Sequence, residues 1–419
     1  VPGVSDVLDT PWAKVIYHVG LPALLMALSL HVTKRAVRRV YTLLAPMAGL
    51  GLLWPITFNV YDVHAPPVPP ALAAQLANAP TPGTTNVYIF MMDEWSYAQT
   101  FPHGQLLDGM PHLRNLLGRS TTYQEARSPG PTTAISIPRF LFQNNAYFLA
   151  LPYDAVRDRC LDRRVVPGAT LFAESPPDWY KLAAGFWVDY TALLGTNVDF
   201  AVSTQSDAEL RTFGVHTASL LKSQFGWLRY LGKPTPAENI EPSLSWIFGQ
   251  KQTHRWALLV IRRMNQPTFA YFHYCLPHYP YVWNSEGEKQ PYPERPLDQT
   301  VVNYRDNLMY LDTVIGEIVG ALEEAGKFDS SMLVLTSDHS WRNDPVHGHA
   351  GYEEEDRNPH STLRHVPLVV KYPGQREARV VDDPVSTADV HLMVRAALAG
   401  ATADDVIASL RSPDEASAE

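Results

Sequence analysis

Residues 331–339 read Ser-Met-Leu-Val-Leu-Thr-Ser-Asp-His, a short apolar run that ends in an acid and a histidine. A run of this length, rich in aliphatic residues, is typical of a buried strand. Two other runs have the same form, because 87–92 leads directly into Asp93 and 268–274 ends close to His278. In open α/β sheets, ligands bind beyond the carboxyl ends of the strands. The runs therefore predict one site assembled from distant parts of the chain.

The segment between the second and third runs predicts a helix over 301–324. Its apolar residues recur at helical spacing; they are Leu308, Leu311, Val314, Ile315, Ile318, Val319 and Leu322. A fourth strand is expected at 366–370. Strands that alternate with helices indicate an α/β fold with a mostly parallel sheet flanked by helices. We expect this domain to occupy residues 85–400, followed by a flexible tail over 401–419.

The first sixty residues differ from the rest. The stretches 15–33 and 40–61 contain no Asp, Glu, Lys or Arg, and each has about the 20 residues that a transmembrane helix needs. A basic cluster lies between them: Lys34, Arg35, Arg38 and Arg39. The positive-inside rule places that loop in the cytoplasm. Two buried core helices are the alternative, because histidine and proline residues dilute both stretches.

If both stretches span the cell (inner) membrane, the domain over 85–400 lies on its periplasmic or extracellular side. Residues 63–84 are rich in Pro and Ala and predict a semi-rigid linker. The chain begins with Val1, so we expect it to be a fragment with further spans upstream.

Composition excludes some classes of protein. Apolar residues make up 46% and charged residues 18% of the 419 positions, which is compatible with a large core. The net charge of -9 argues against a nucleic-acid partner, since phosphate backbones attract basic surfaces. Two cysteines cannot form a disulfide framework. One bridge stays open, although Cys275 follows an apolar run and is expected to be a buried free thiol.

Residues 128–139, Ser-Pro-Gly-Pro-Thr-Thr-Ala-Ile-Ser-Ile-Pro-Arg, predict a turn followed by a helix that begins at Thr132 or Thr133. Such a threonine is either a helix cap or a nucleophile, whose alkoxide the helix N-terminus would favour. Asp93 is likewise either a cap or a ligand at the end of its strand. The adjacent Asp338 and His339 combine one hard oxygen with one imidazole, a mixture that suits zinc or manganese.

Together these segments resemble the alkaline phosphatase and sulfatase superfamily over about residues 85–375. The resemblance rests on the order of six segments, which are 87–93, 128–139, 277–281, 304–326, 337–339 and 365–368. Within the superfamily, the chain is most similar to membrane-anchored phosphoethanolamine transferases and lipoteichoic-acid-synthase-like phosphoglycerol transferases. Those enzymes also carry membrane helices before an exported catalytic domain.

The resemblance implies one divalent metal, zinc or manganese, with magnesium or calcium also open. Its implied ligands are Asp93, Thr133, Asp338 and His339. Thr133 is preferred to Thr132 as the nucleophile because the run from Thr133 to Pro138 matches the family's threonine followed by Ser-x-Pro. Glu94 is a further candidate ligand, although consecutive residues tend to point in different directions.

The resemblance also implies roles for two histidines at the phosphate or the leaving group. One falls on His278. The other falls on His347, with His349 as its close rival. Each could equally be an ordinary loop histidine.

Three departures from the family bear on the reaction. Sulfatases need a Cys or Ser precursor of formylglycine where this chain has threonine, which argues against sulfate ester hydrolysis. The cysteines that flank the nucleophile segment in phosphoethanolamine transferases are replaced by Pro129 and Arg139. The first acid is Asp93 rather than Glu, which is closer to the hydrolase pattern.

We therefore expect transfer of a phosphoethanolamine- or phosphoglycerol-type head group from a lipid donor to a glycan or lipid hydroxyl. The alternative is a membrane-tethered phosphodiesterase or phosphohydrolase that uses water. A second metal, bound by Asp344 with His347 or His349, would favour that alternative. A non-catalytic membrane scaffold is the remaining alternative. The aromatic-rich segment 178–263 is either an elaboration packed on the core or a surface for lipid head groups.

Overall fold

The computed structural model describes residues 76, 85–143, 153–154, 159–160, 170–203, 237–279, 281, 283–284, 301–347, 352–358 and 360–410. Contacts divide the chain into two units, Val1–His64 with Asp207–Glu241, and Ala65–Ser206 with Pro242–Glu419. The second unit contains the sheet. The spans predicted at 15–33 and 40–61 lie outside the described residues, as does the predicted linker apart from Leu76. Among the described helices, none is both long and apolar enough to cross a membrane.

The described strands are β1 (Val87–Asp93), β2 (Thr121–Tyr123), β3 (Ala126–Arg127), β4 (Tyr153–Asp154), β5 (Arg159–Cys160), β6 (Tyr180–Gly185), β7 (Phe200–Ser203), β8 (Thr268–Pro277), β9 (Met332–Ser337), β10 (Leu368–Lys371), β11 (Arg379–Val381) and β12 (Val385–Ser386). The described α-helices are α1 (Tyr97–Thr100), α2 (Pro111–Leu117), α3 (Thr133–Leu141), α4 (Tyr190–Leu194), α5 (Ala237–Arg263), α6 (Val301–Glu324), α7 (Tyr352–Arg357), α8 (Val390–Leu398) and α9 (Ala403–Leu410).

Eight strands form one sheet in the order β11-β2-β10-β9-β1-β8-β6-β7. The central run from β9 to β7 is parallel throughout. Strand β10 is antiparallel to both of its neighbours, and β11 is parallel to β2. The prediction of an α/β fold with a mostly parallel sheet is confirmed.

Strand β1 is buried along its whole length, because the sheet is covered on both faces. Alternate residues point to opposite sides. Tyr88, Phe90 and Met92 pack in the core that includes α6, whereas Ile89 and Met91 pack in the core that includes α3 and α8. A strand covered on both faces reads as a continuous apolar run, which is why the sequence signal at 87–92 is clear.

The predicted helix over 301–324 is confirmed as α6, and all seven of its predicted core residues are buried. Cys275 is a buried free thiol, as expected. The fourth predicted strand begins two residues later than expected, as β10, and runs antiparallel to its neighbours.

Two expectations need correction. The flexible tail predicted from residue 401 begins too early, because residues 403–410 form α9, whose Val406 and Ile407 are buried in the core. Segment 178–263 is more than an elaboration, since β6 and β7 extend the main sheet. Of its aromatic residues, Trp179 and Tyr180 are buried, so these two serve the core rather than a lipid-facing surface.

Candidate metal centre and active site

The three central strands β9, β1 and β8 are parallel neighbours, so their carboxyl ends meet at one edge. Asp338 and His339 follow β9, Asp93 ends β1, and His278 follows β8. Hydrogen bonds join the ends of these strands. The His278 amide donates to the Asp93 carbonyl at 3.2 Å. The Ser337 hydroxyl donates to the Met92 carbonyl at 2.6 Å. The convergence inferred from strand topology is therefore present in the fold.

Asp93, Asp338 and His339 form a buried cluster that could hold a metal ion, since one ligand atom from each lies within 4.8 Å of the others. Nε2 of His339 lies 3.7 Å from Oδ1 of Asp93 and 3.6 Å from Oδ2 of Asp338. This is the one such cluster found among the described residues.

Hydrogen bonds leave the three ligand atoms oriented for a cation. Nδ1 of His339 donates to the Ser340 carbonyl at 2.8 Å, so in the neutral ring Nε2 carries the lone pair. Oδ1 of Asp338 accepts from the amides of Glu94 and His339. The other oxygen, Oδ2, is buried without a hydrogen-bond partner, as is Oδ1 of Asp93. Buried unpaired carboxylate oxygens are unfavourable, so this donor set fits a divalent ion.

The electrostatics of Asp93 agree with this interpretation. Burial raises the pKa of its carboxyl well above the usual range, and the nearby charges of Asp338 and Glu94 raise it further, whereas Arg342 opposes the shift. Acids gathered in a dry site repel one another unless a cation joins them. Two carboxylates and one imidazole are a ligand set that zinc or manganese accepts.

Helix α3 brings Thr133 to the cluster. Thr132 takes the N-cap position, with extended φ and ψ, but its side chain makes no capping hydrogen bond. Thr133 is the first helical residue and is buried, and its Oγ1 lies 3.3 Å from Nε2 of His339. The loop before it can fold back because Gly130 has no side chain; a Cβ there would lie 2.5 Å from Cγ2 of Ile135. The structure therefore brings Thr133, rather than Thr132, into contact with the cluster.

A buried ion pair fixes the other end of this segment. Arg139, in α3, donates two hydrogen bonds to the carboxylate of Asp356 in α7, at 2.6 and 2.9 Å. Its Nη1 also donates to the Pro129 carbonyl at 2.9 Å. Arg139 thus ties the loop that precedes Thr133 to the end of its own helix. From the sequence, this arginine was noted only as a departure from the family pattern.

Glu94 lies outside the three-residue cluster and pairs with a cation. Nε of Arg342 donates to its carboxylate. The backbone of Glu94 is left-handed, with φ of 64°, which is uncommon for a non-glycine residue. Tyr304 holds this turn by donating its hydroxyl to the Glu94 carbonyl at 2.6 Å. Burial would raise the pKa of Glu94, but His278, Arg342 and His339 outweigh it and lower the pKa to about 2.

His278 contacts the same arginine. Its Nδ1 donates to the Tyr279 carbonyl at 2.7 Å, so Nε2 accepts from Nη2 of Arg342, also at 2.7 Å. Burial lowers the pKa of His278, and the attraction of Glu94 only partly opposes this. His278 is therefore a neutral ring beside the cluster. Sequence reasoning missed Arg342, although a basic residue three positions after His339 was a signal that could have identified it.

His347 faces other partners. Its Nε2 donates to the Trp341 carbonyl at 2.6 Å, and its Nδ1 accepts from the Thr362 hydroxyl at 2.8 Å. Burial is also the main cause that lowers the pKa of His347. Its rival His349 lies outside the described residues.

The proposed second metal site is not formed by the described residues. Asp344 accepts hydrogen bonds from the Ser96 hydroxyl at 2.7 Å and from the Gln99 amide at 3.0 Å. These bonds occupy both of its carboxylate oxygens. Its role in the described structure is to fix the start of α1 to the loop after β9.

Comparisons with known proteins agree with this fold. Residues 250–397 match the Sulfatase family, a stretch that includes His278, Asp338 and His339. The Endo-4-O-sulfatase of Bacteroides thetaiotaomicron is 24% identical over 153 residues, which cover 31% of this chain and 28% of that enzyme. The chain thus matches less than a third of this relative's length.

Solved structures show a similar fold. The crystal structure of Ps i-CgsB in complex with k-i-k-neocarrahexaose superposes with a TM-score of 0.52 at 16% identity, covering 78% of this chain and 74% of that one. A second crystal structure of Ps i-CgsB has a TM-score of 0.51 over the same shares. Enzymes of the sulfatase and alkaline phosphatase group use a divalent metal, as the Asp/Asp/His cluster suggests for this chain. Residues 250–397 therefore resemble the Sulfatase family, and the chain shares the fold of the Ps i-CgsB structures.

Proposed function

We propose that this chain is a metal-dependent enzyme that cleaves a phosphodiester head group, with Thr133 as the nucleophile. One observation carries the proposal: Oγ1 of Thr133 lies 3.3 Å from Nε2 of His339, beside the carboxylates of Asp93 and Asp338. A hydroxyl at a helix N-terminus, in contact with a metal-binding cluster, has the surroundings that an activated nucleophile needs.

Asp93, Asp338, His339 and Thr133 would hold the ion. The donor set suits zinc or manganese, and magnesium or calcium are the other candidates. A divalent ion there would lower the pKa of the Thr133 hydroxyl and neutralise charge on the phosphate.

The reaction would proceed in two steps. Oγ1 of Thr133 attacks phosphorus while its proton passes, through His278, to the leaving oxygen; the bond from phosphorus to that oxygen breaks, an alcohol departs, and threonine carries the phosphorylated head group. An acceptor oxygen then attacks the phosphothreonine and releases Thr133. His278 is neutral and can take the proton of the acceptor once Arg342 shifts to the bound anion. His347, hydrogen-bonded to Trp341, would position its loop.

The chemistry of the nucleophile supports phosphate rather than sulfate as the reacting group. Threonine cannot supply the formylglycine that sulfatases use, whereas an alkoxide attack on phosphorus needs no such modification. The name of the Bacteroides relative indicates sulfate ester cleavage by that enzyme. Sulfate esters are therefore included as substrates in the experiments below.

Two acceptors remain as candidates. The match to the Sulfatase family favours water, which makes hydrolysis the first candidate. Transfer to a glycan or lipid hydroxyl is the second, favoured by the uncharged stretches 15–33 and 40–61. As part of the proposal, these stretches anchor the chain in the cell membrane, with the catalytic domain on its periplasmic or extracellular side. An anchored enzyme would share one surface with a lipid donor. A non-catalytic scaffold is disfavoured, because Asp93, Thr133, Asp338 and His339 are all present and lie together.

Replacement of Thr133 tests the proposal. With bis(p-nitrophenyl) phosphate and added zinc or manganese, Thr133→Ala should lose at least about a thousandfold in kcat/KM. The matched control is Thr132→Ala, which removes the neighbouring hydroxyl that makes no capping bond; it should stay within about threefold of wild type. Mass spectrometry of acid-quenched wild-type protein should show a phosphorylated Thr133. If Thr133→Ala keeps more than about a tenth of the turnover, the covalent scheme is wrong.

Product analysis separates the acceptors. The full chain would be mixed with vesicles that contain phosphatidylethanolamine or phosphatidylglycerol. Hydrolysis releases the phosphorylated head group into water. Transfer instead attaches it to an added lipid or glycan and leaves little of it in solution.

A further inference from the structure

Glu94 and Arg342 form a charge pair at the rim of the cluster. Glu94 is buried, whereas the side chain of Arg342 is 37% exposed. The left-handed turn at Glu94 is held from both sides, because its amide donates to Asp338 and its carbonyl accepts from Tyr304. Backbone strain that several contacts enforce is concentrated at functional sites. The turn aims a carboxylate at Arg342 rather than at the metal cluster.

The second partner of Arg342 fixes the position of its guanidinium group. Nη2 of Arg342 donates to Nε2 of His278 at 2.7 Å, and His278 donates in turn to the Tyr279 carbonyl. The guanidinium plane is thus held by two residues that lie at the ends of β1 and β8. Its exposed part lies where an anion can approach the end of the sheet.

The charges around the site cancel in pairs. The carboxylates of Asp93 and Asp338 would balance a divalent ion, and the carboxylate of Glu94 balances Arg342. The rings of His339 and His278 each donate one hydrogen bond to a backbone carbonyl through Nδ1, which leaves Nε2 to face the cluster or Arg342.

The next charged groups are joined to a group of opposite charge, either directly or through Gln99. Asp344 and Arg305 both bond to the Gln99 amide group. Arg139 pairs with Asp356. No spare positive charge is left among these groups to match a second negative charge on a bound ester.

We propose that the Glu94–Arg342 pair determines the charge specificity of the site, so that it accepts esters with one negative charge and rejects phosphate monoesters, which carry two. This inference rests on the proposed function and names its substrate class. Glu94 is the discriminating residue, because its carboxylate offsets the charge of Arg342, which a dianion would otherwise use. Phosphodiesters and sulfate monoesters both carry a single charge, and the experiment below separates them.

Glu94→Gln removes the charge and keeps the size of the side chain. The substrates are methyl p-nitrophenyl phosphate with one charge, p-nitrophenyl phosphate with two at pH 8, and p-nitrophenyl sulfate with one. Relative to wild type, the ratio of kcat/KM for the diester to that for the monoester should fall by at least about tenfold, because residue 94 then no longer offsets the charge of Arg342. Glu377→Gln, which neutralises an exposed acid paired with Arg379, should leave the ratio unchanged.

Arg342→Gln should act in the opposite direction. It leaves the Glu94 carboxylate unpaired, so the monoester should lose more activity than the diester, again by about tenfold. The double variant Glu94→Gln/Arg342→Gln restores neutrality and should restore the wild-type ratio at a lower rate. If both single variants leave the ratio within about twofold of wild type, or if the double variant does not return towards it, the proposal is overturned.

Binding gives a readout that does not depend on turnover. In the Thr133→Ala background, calorimetry should show that dimethyl phosphate binds more tightly than methyl phosphate, and that adding Glu94→Gln reverses this order. An unreversed order would overturn the charge assignment even if Thr133 is the nucleophile. If Thr133→Ala still turns over substrate while the order reverses, the proposed nucleophile fails and the charge assignment stands. The wild-type rates with p-nitrophenyl sulfate and methyl p-nitrophenyl phosphate decide which of the two singly charged esters the site uses.

Discussion

Two carboxylate oxygens, one on Asp93 and one on Asp338, are buried without hydrogen-bond partners. Such groups weaken the metal-free protein, because each negative charge is desolvated and faces the other. The same arrangement is favourable when a cation lies between them. Single residues of the site are therefore selected for binding at the expense of stability in the metal-free form.

Asp93→Asn tests this trade-off. In the presence of a chelator, the variant should be more stable than wild type by about 1–3 kcal/mol, since it removes a buried charge. Its metal content should fall. Thermal unfolding with and without added zinc, together with elemental analysis, measures both changes. Metal-free wild type that is as stable as the variant would show that the two carboxylates do not repel each other.

The pH dependence of the metal-free protein follows from the same residue. The folded-state pKa of Asp93 is raised above its unfolded value. Its contribution to stability is therefore fully present below the unfolded pKa and is lost as pH rises through the folded pKa. Asp93→Asn should flatten this part of the stability profile.

At the residue scale, the sequence identified groups that end strands but not their side-chain partners. Asp93, Asp338 and His339 could be predicted as neighbours because each follows an apolar strand. The pairing of Glu94 with Arg342 could not, because it depends on a left-handed turn that a glutamate rarely adopts. The partners of His347 could not be predicted either, since a loop histidine has no periodic pattern that shows what it contacts.

Helix α3 is short, and a buried salt bridge stabilises its position. It spans nine residues, contains Pro138 and carries Thr133 at its first position. The pair between Arg139 and Asp356 is almost fully buried on both sides, with 3% exposure of each side chain. Breaking such a pair leaves a buried charge unmatched.

Asp356→Asn should therefore lower the free energy of unfolding by about 3–5 kcal/mol. Because Arg139 also holds the Pro129 carbonyl, kcat should fall as well. Urea unfolding and steady-state kinetics check the two effects. Asp404→Asn, which weakens the exposed pair with Arg379, is the control and should change stability by less than about 1 kcal/mol.

The C-terminal end of α5 is stabilised by a buried lysine. Nζ of Lys327 donates to the carbonyls of Ile261 and Met264 at 2.7 and 2.8 Å. Desolvation lowers the pKa of this amine from 10.5 to about 8. Lys371 is buried in a similar way, and its pKa is also lowered to about 8, chiefly by desolvation.

These lysines predict that stability rises with pH between about 8 and 10.5. In that window the unfolded chain holds a proton that the folded state has released, so ΔG of unfolding increases by up to about 1.4 kcal/mol per pH unit for each lysine. Urea unfolding at pH 8, 9 and 10 measures the slope. Lys327→Met should remove about half of it, whereas Lys251→Met, which removes an exposed lysine, should keep it. Parallel profiles for all three proteins would contradict the assignment.

At the element scale, the prediction was best where burial on both faces produced a continuous apolar run, as in β1 and β9. The helix α6 was equally clear because its apolar stripe is long. The direction of β10 could not be inferred, since four buried residues look the same in either orientation. The helix α9 was missed because small and acidic residues near it resemble a frayed terminus.

For the whole molecule, the proposed membrane orientation makes a direct prediction. In intact cells, a cysteine introduced by Arg38→Cys should be protected from a membrane-impermeant thiol reagent until the cells are permeabilised. A cysteine introduced by Asp382→Cys, at an exposed position of the domain, should react at once. The wild-type chain, whose Cys275 is buried, supplies the background. Equal labelling at both positions before permeabilisation would exclude this orientation.

The order of the sheet could be predicted only in part from the sequence. Parallel strands that alternate with helices follow from composition and periodicity. The central position of β1 does not, because it depends on pairing with strands that lie far away in the chain. Nor could residues 180–203 be assigned to the sheet edge, since β6 and β7 are short and carry no motif.

The central position of β1 also determines how late in translation the strand can complete its pairing. Asn86, next to β1, bonds to Ser331 across 245 positions of chain, and both strands that flank β1 come from the second half of the sequence. A ribosome adds about 5–20 residues per second, so β1 waits roughly ten to fifty seconds before β9 has been made. During that interval the edge of β1 that pairs with β9 has no partner and is open to aggregation. We therefore expect the newborn chain to rely on a holding chaperone until its last central strand emerges.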